Sequence, residues 1–499
     1  MIAFGVLSYV LFLLYPIVAQ KPCIQRELTD GTVCVCNSTY CDSIPELLDQ
    51  QSGQYQLYFT SKEHLGFQSN NESFSKSGFT SSYAITIPSV TAVGRKIEGF
   101  GCSFTDAVGE NIVSLPKAIQ DNLLNSYFSA DGINYSFGRV PIGGTDFSTR
   151  RYSNCDTPDE TLDSFALQPE DLNYKIAAVK LAEQAKGSSL KLYASPWSPP
   201  TWMKTSNEVL GNGSLKEEYY DLWSQMFVKF FQAYREQGVE FWGVSTQNEP
   251  FTRVPYIPNC AWDFDSMNKF VSENLGPAIR NSDFKDLKII LLEDNRSWGW
   301  EFVPATLSNP EVMKYADAIG IHWYSDNPST AYLLDTFNSD LKDLFVFGSE
   351  ASISLDPIGS WENGVSYIND IIEDLSHDLI AWVDWNCAVD TNGGPGGSLA
   401  APIIVDVSAG EFYKQPMFYA LGHFSKFVIP GSSRLDINTT QEFADKGLSA
   451  IAFLRPDNRI AMIIHNESNE KLSIQVNILE ESQVIDLEAL SFNTLLYTI

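Results

Sequence analysis

Between residues 96 and 385, short apolar runs alternate with helical patterns. The runs begin near Ile97, Ile133, Leu190, Phe241, Leu287, Ala318, Phe345 and Leu379. Amphipathic segments lie between them, such as 170–186 and 216–236; in the latter, Leu222, Met226, Phe230 and Tyr234 recur at helical spacing. Eight strand–helix units in about 290 residues match a (β/α)8 TIM barrel better than an open doubly wound sheet, which stays as the alternative.

The flanks read differently. Residues 449–499 alternate as strands punctuated by Pro456-Asp457-Asn458 and by "NESNE" at Asn466, and 55–90 has the same character. Two β-rich flanks bracketing a barrel can form one all-β sandwich from both ends of the chain. The expected division is a leader at 1–19, a small disulfide-containing N-terminal β segment at 20–45 joined by about 387–415, the sandwich at 46–93 plus about 436–499, and the catalytic barrel at 94–386 plus about 416–435. No internal repeat of fixed period is evident.

Reactive groups of such a barrel gather where its strands end. The fourth run ends in "TQNEP", with Asn248, Glu249 and Pro250; the seventh ends in Gly348-Ser349-Glu350-Ala351. Pro250 cannot extend the strand, so the chain turns just after Glu249 and leaves its carboxyl group at the mouth. A facing pair of carboxyl groups is the equipment of a glycoside hydrolase, one giving a proton to the leaving oxygen and the other attacking the sugar carbon. At a separation of about 5 Å the outcome is retention through a covalent intermediate. Taken singly, each carboxylate also reads as a salt bridge pinning a loop.

Other strand ends add Arg139 and Asp146 (second), Trp197 (third), His322-Trp323-Tyr324 (sixth) and Trp385 (eighth). Trp197 or Trp385 can stack on a pyranose face, Asp146 and Asn248 can bond sugar hydroxyls, and Arg139 can hold Glu350 ionised. The plain alternatives are Trp barrel plugs, an Arg139–Asp146 ion pair and a satisfied core His322. The five His residues show no metal-ligand spacing, and "GFGCSF" at Gly99 lacks the third glycine of a dinucleotide fingerprint and reads as a tight strand exit. No cofactor and no metal are expected.

The N-terminus bears on the compartment: the almost wholly apolar segment Ile2 to Tyr15, followed by Ile17-Val18-Ala19 as a cleavage site before Gln20, reads as a secretory leader rather than a membrane span, and no transmembrane segment is expected after its removal. Cys23, Cys34, Cys36 and Cys41 crowd just after it, and the simplest pairing in an oxidising lumen is Cys23 with Cys34 and Cys36 with Cys41, a zinc knuckle being the competitor. Cys102, Cys155, Cys260 and Cys387 read as buried thiols or unassigned bridges. Seven sequons (Asn37, Asn71, Asn134, Asn212, Asn295, Asn438, Asn466) agree with the secretory route. A net charge of −29 argues against nucleic acid and fits either a self-repelling surface or an acidic working compartment.

In series, "CVCNSTYCDS", "GFGCSFTDA", "RVPIGGTDFS", "ASPWSPPTW", "NEP", "HWYSD", "GSEA", "WVDWN" and "FYKQPMFYALGHFSKF" closely resemble the lysosomal glucosylceramidase branch of glycoside hydrolase family 30. The resemblance covers nearly the whole mature chain. It implies a retaining exo-β-glucosidase with Glu249 as acid/base and Glu350 as nucleophile. Asp146, Trp197, Asn248 and Trp385 would hold the glucosyl unit, and Arg139, Tyr256 and Tyr324 would line or support the site. It further implies glucosylceramide as substrate, an acidic lysosome with secretion as the alternative, and help from a saposin-type activator at anionic membranes. The loop after "GGP", Gly393-Gly394-Pro395-Gly396-Gly397-Ser398-Leu399-Ala400-Ala401-Pro402, departs from the family: it is shorter and lacks the usual aromatic and asparagine at the entrance. The alternatives are a family 30 relative acting on a soluble β-glycoside or glucan, and a catalytically silent glycan- or lipid-binding protein.

Overall fold

The computed structural model describes residues 20–73 and 81–499; the leader expected at 1–19 lies outside them. Eight parallel strands close a barrel: β1 (Gly99–Ser103), β2 (Phe137–Ile142), β3 (Lys191–Pro196), β4 (Gly243–Ser245), β5 (Lys288–Asn295), β6 (Ala316–His322), β7 (Phe345–Glu350) and β8 (Ala381–Asn386). Closure runs from β8 to β1 and from β3 to β4, so the open doubly wound sheet is ruled out.

"GFGCSF" is the first strand itself rather than a strand exit. A Cβ at Gly101 would sit 1.8 Å from the carbonyl oxygen of Phe137, so only glycine lets β1 and β2 approach. The second strand starts four residues later than its apolar run, because Asn134 takes a left-handed φ of 61°. Inside the lower barrel, Phe137, Tyr193, Ile290, Ala318, Phe347 and Val383 pack into a separate cluster that fills the floor below the mouth. The Tyr193 hydroxyl crosses this floor to donate to the Ser349 carbonyl at 2.8 Å. Bulky side chains in the lower layers leave the upper layer to polar groups.

Two β units flank the barrel. A five-stranded sheet joins 25–37 to 388–414; Cys23–Cys34 and Cys36–Cys41 tie the segment before its first strand and the loop after its second to that second strand, which leaves no thiolates for the zinc alternative. A third bridge, Cys102–Cys387, ties β1 to the exit of β8, while Cys155 and Cys260 are free and buried. The second unit pairs a seven-stranded with a four-stranded sheet, drawing on 54–73, 84–96 and 433–498. It is fixed to the barrel by the helices Trp361–Ser376 and Pro416–Ser425; Trp361 stacks on Phe492 at 4.3 Å, and His423 bonds Thr494 at 2.8 Å. Of the sequons, Asn466 is fully buried with its amide donating to the carbonyls of Glu470 and Glu488, and Asn295 is also buried, so neither side chain is open to a glycan.

Candidate active site

The turn that carries Glu249 is built from its own neighbours. Gln247 is buried and its amide donates to the carbonyls of Pro196 and Trp197, locking "TQNEP" onto the end of β3. Glu249 adopts φ 45°, a strained conformation for a non-glycine residue, and its N–H donates to the Glu293 carbonyl at 2.9 Å. Asp294 holds the following turn by accepting from the N–H groups of Phe251 and Thr252, both at 2.9 Å. Strain at Glu249 is thus offset by anchors on both neighbouring strands.

Glu350 ends β7 with both oxygens occupied. Arg139 from β2, fully buried, donates through Nη1 to Oε2 in a short charge-assisted bond, and the Tyr324 hydroxyl donates to Oε1 at 2.8 Å. The same guanidinium donates to the Asn248 Oδ1 at 2.7 Å, which turns the Asn248 amide NH2 toward the cleft. It also pairs with Glu293 at 2.7 Å and lies over the rings of Trp197 and Trp385 at 4.6 and 5.2 Å. Arg139 therefore pairs with Glu350 and Glu293, and not with Asp146.

His322 stands between the two acids. Its Nδ1 is 3.3 Å from Glu249 Oε1 and 3.7 Å from Glu350 Oε1, and its Nε2 is 3.8 Å from Glu293. Donor atoms of Glu249, His322 and Glu350 all lie within 4.8 Å of one another. Burial lowers the His322 pKa, but Glu350, Glu249 and Glu293 more than reverse this and raise it to about 10.

The two carboxyl groups are driven apart electrostatically. Burial raises Glu249 above the usual glutamate range, and the nearby Glu350 charge adds to this against the opposing pull of His322. Burial would raise Glu350 as well, but the charges of His322 and Arg139 and the bonds from Arg139 and Tyr324 overcome it and leave its pKa below the usual range. Two chemically identical groups are thus set for opposite tasks. Asp146 keeps part of its surface open to the cleft, and burial with the Glu350 and Glu249 charges raises it to about 7.

Trp197 and Trp385 stack on each other, with ring centroids 4.9 Å apart and planes 18° off parallel, and are only 1% and 2% exposed. The free stacking face expected for a pyranose is spent on this pair. Tyr324 shows its ring at the mouth, 45% exposed, while its hydroxyl reaches Glu350; Tyr256, in the loop after β4, is 76% exposed and contacts none of these groups among the described contacts. The loop at 393–402 packs inward: Gly397 lies so close to the Phe147 ring that a Cβ there would be 2.3 Å away, and Phe147 meets Trp385 edge-on.

Glu293 and Asp294 were not among the sequence candidates. Both end the fifth strand, in "LLEDN", so the rule that selected the other strand ends points to them as well. Leu292 and Glu293 have φ values of 64° and 52°, and the register with β6 slips there, a bulge that turns Glu293 under Arg139 and His322 and Asp294 toward the turn after Glu249.

The family model for the glycosyl hydrolase family 30 TIM-barrel domain matches residues 97–428, and that for the family 30 beta sandwich domain matches 431–495. The chain is 38% identical to putative glucosylceramidase 4 of Caenorhabditis elegans, covering 92% of this chain and 91% of that one. It is 36% identical to lysosomal acid glucosylceramidase of Mus musculus, covering 92% of each. Among solved structures, SrfJ from Salmonella typhimurium superposes with a TM-score of 0.84 over 89% of this chain and all of that one; at 24% identity this likeness speaks to the fold.

Proposed function

The chain belongs to glycosyl hydrolase family 30 and is a glycoside hydrolase of glucosylceramidase type; from that premise we propose that it is a retaining exo-β-glucosidase that splits glucosylceramide into glucose and ceramide. The observation that carries the mechanism is that one carboxyl oxygen of Glu249 and one of Glu350 lie within 4.8 Å of each other, with pKa values moved in opposite directions. An inverting enzyme needs room for a water between its carboxyl groups, at roughly 6.5–9.5 Å, whereas a retaining one sets them about 5 Å apart.

Glu350, held ionised by Arg139, His322 and Tyr324, attacks the anomeric carbon as Glu249 protonates the departing glycosidic oxygen. Ceramide leaves and a glucosyl ester remains on Glu350. Glu249, now a carboxylate, takes a proton from water, which attacks the same carbon from the opposite side and restores the β configuration. The Asn248 amide, fixed by Arg139, donates to the hydroxyl beside the reacting carbon, and Asp146 bonds hydroxyls farther round the ring. On this reading the ceramide moiety extends past the exposed ring of Tyr324, where a bilayer assisted by a saposin-type activator would present it. Among the described residues no helix is long and apolar enough to cross a membrane, which fits an enzyme that works from the surface of an acidic lumenal membrane.

The substrate is tested by measuring turnover of detergent-dispersed glucosylceramide beside a soluble β-1,6-glucan. Release of glucose from the lipid with little from the polymer supports the reading. The reverse preference would replace the substrate while leaving the carboxylate mechanism in place.

A further inference from the structure

A second carboxylate cluster lies outside the barrel mouth and takes no part in the chemistry above. Asp370, Glu373 and Asp374 share one face of the helix Trp361–Ser376, at spacings of three and four, and Asp326 comes down on them from the loop after β6. One oxygen each of Asp326, Asp370 and Asp374 lies within 4.8 Å of the other two. Oxygens bound to one calcium ion at about 2.3–2.6 Å can be no more than about 5 Å apart, so the three fit around a single ion.

Four carboxyl groups here face one cation, Arg296, which is 3.0 Å from Asp326 and 2.7 Å from Glu373 but 4.0 Å from Asp374 Oδ1. Asp374 is 3% exposed, and its Oδ1 accepts no hydrogen bond among the described residues. An orphaned buried carboxylate oxygen is costly unless something positive meets it. The Asp370 Oδ2 is already aimed by the Trp382 indole N–H at 2.9 Å, as a ligand oriented from behind would be. A cavity of about 300 Å³ lined by Arg296, Asp326, Asp370 and Glu373 opens beside them and gives an ion and its waters a way in.

We infer that Asp326, Asp370 and Asp374, with Glu373 at the rim, bind a divalent cation of the calcium type, using carboxylate oxygens and water. The ion ties the loop that carries Tyr324 to the helix behind β7. Tyr324 stands two residues before Asp326, so the site steadies the hydroxyl that donates to Glu350.

The test is a terbium titration of the full chain at neutral pH, exciting tryptophan and reading sensitised terbium emission, with Trp382 and Trp323 beside the cluster as donors. Saturable emission that calcium displaces is expected, and Asp370→Asn and Asp374→Asn each weaken it at least about tenfold, while Asp335→Asn, an exposed acid outside the cluster, does not. In parallel, roughly millimolar calcium raises the Tm of the parent and not of Asp370→Asn. Should Asp374→Asn fail to fold, Asp326→Asn on the loop replaces it. Burial with the neighbouring Asp370 raises Asp326 to about 9, so the competing arrangement is a set of carboxyl groups sharing protons. No sensitised emission, emission undiminished in the cluster variants, or variants that gain Tm equally with and without calcium would establish that arrangement and overturn the metal site.

Discussion

The Nδ1 of His322 lies 3.3 Å from the Oε1 of Glu249, with both side chains almost wholly buried. Buried alone, either group would neutralise; together they make a proton-rich boundary beside the reacting carbon. Glu249 has only this cation, opposed by the nearby Glu350, whereas Glu350 has His322, Arg139 and Tyr324 together. In the proposed mechanism that asymmetry makes Glu249 the acid and Glu350 the nucleophile.

His322→Gln removes the shared cation. Both carboxyl groups then rise, so the kcat/KM profile moves to higher pH and loses height. For stability, the His322 pKa of about 10 stands above its unfolded value of about 6.5, so its contribution is complete below about pH 6.5 and lost as pH rises toward 10. The Tm gap between parent and variant should therefore be wide at pH 6 and narrow at pH 10; a gap that widens with pH contradicts the assignment.

Arg139→Lys keeps the charge but cannot serve Glu350, Glu293 and Asn248 with one planar fork. Glu350 then ionises at higher pH and the acid limb of kcat/KM shifts upward. Loss of the planar fork from this buried arrangement lowers stability, readable by urea unfolding. An unmoved acid limb would mean that Arg139 does not set the nucleophile.

Tyr324→Phe deletes the 2.8 Å bond to Glu350 and leaves the ring at the mouth. Loss of a bond to a charged acceptor is worth about 1.5–3 kcal/mol, so kcat should fall on the order of tenfold to a hundredfold with KM for a small aryl glucoside little changed. A pure KM effect would make Tyr324 a binding residue only.

The Cys102–Cys387 bridge closes a loop of 285 residues between the first strand and the exit of the last. Chain-entropy reasoning gives an upper bound of about 5.6 kcal/mol for such a loop. Cys102→Ser with Cys387→Ser should lower Tm markedly while the purified folded enzyme keeps its pH profile. An unchanged Tm would show that β8 and β1 need no covalent closure.

The barrel was legible because its signal is repetition: eight runs outvote local errors such as the late start of β2 after Asn134. Glu249 and Glu350 stood out for the same reason that the strand-end rule works, and Pro250 marked the turn. What escaped was set by partners distant in sequence. Nothing local says that Trp197 and Trp385 will spend a face on each other, that Arg139 will take Glu293 rather than Asp146, or that Cys102 will find Cys387. Glu293 was missed differently: its bulge depends on two left-handed residues, Leu292 and Glu293, in a stretch that reads as an ordinary strand.

The most direct measurement is to trap the glycosyl enzyme with a 2-deoxy-2-fluoro-β-glucoside bearing a good leaving group, digest it and map the labelled peptide. The account predicts one fluoroglucosyl ester on Glu350, absent in Glu350→Gln and still formed in Glu249→Gln. A label on Glu249, or turnover by Glu350→Gln at the parent rate, would contradict it.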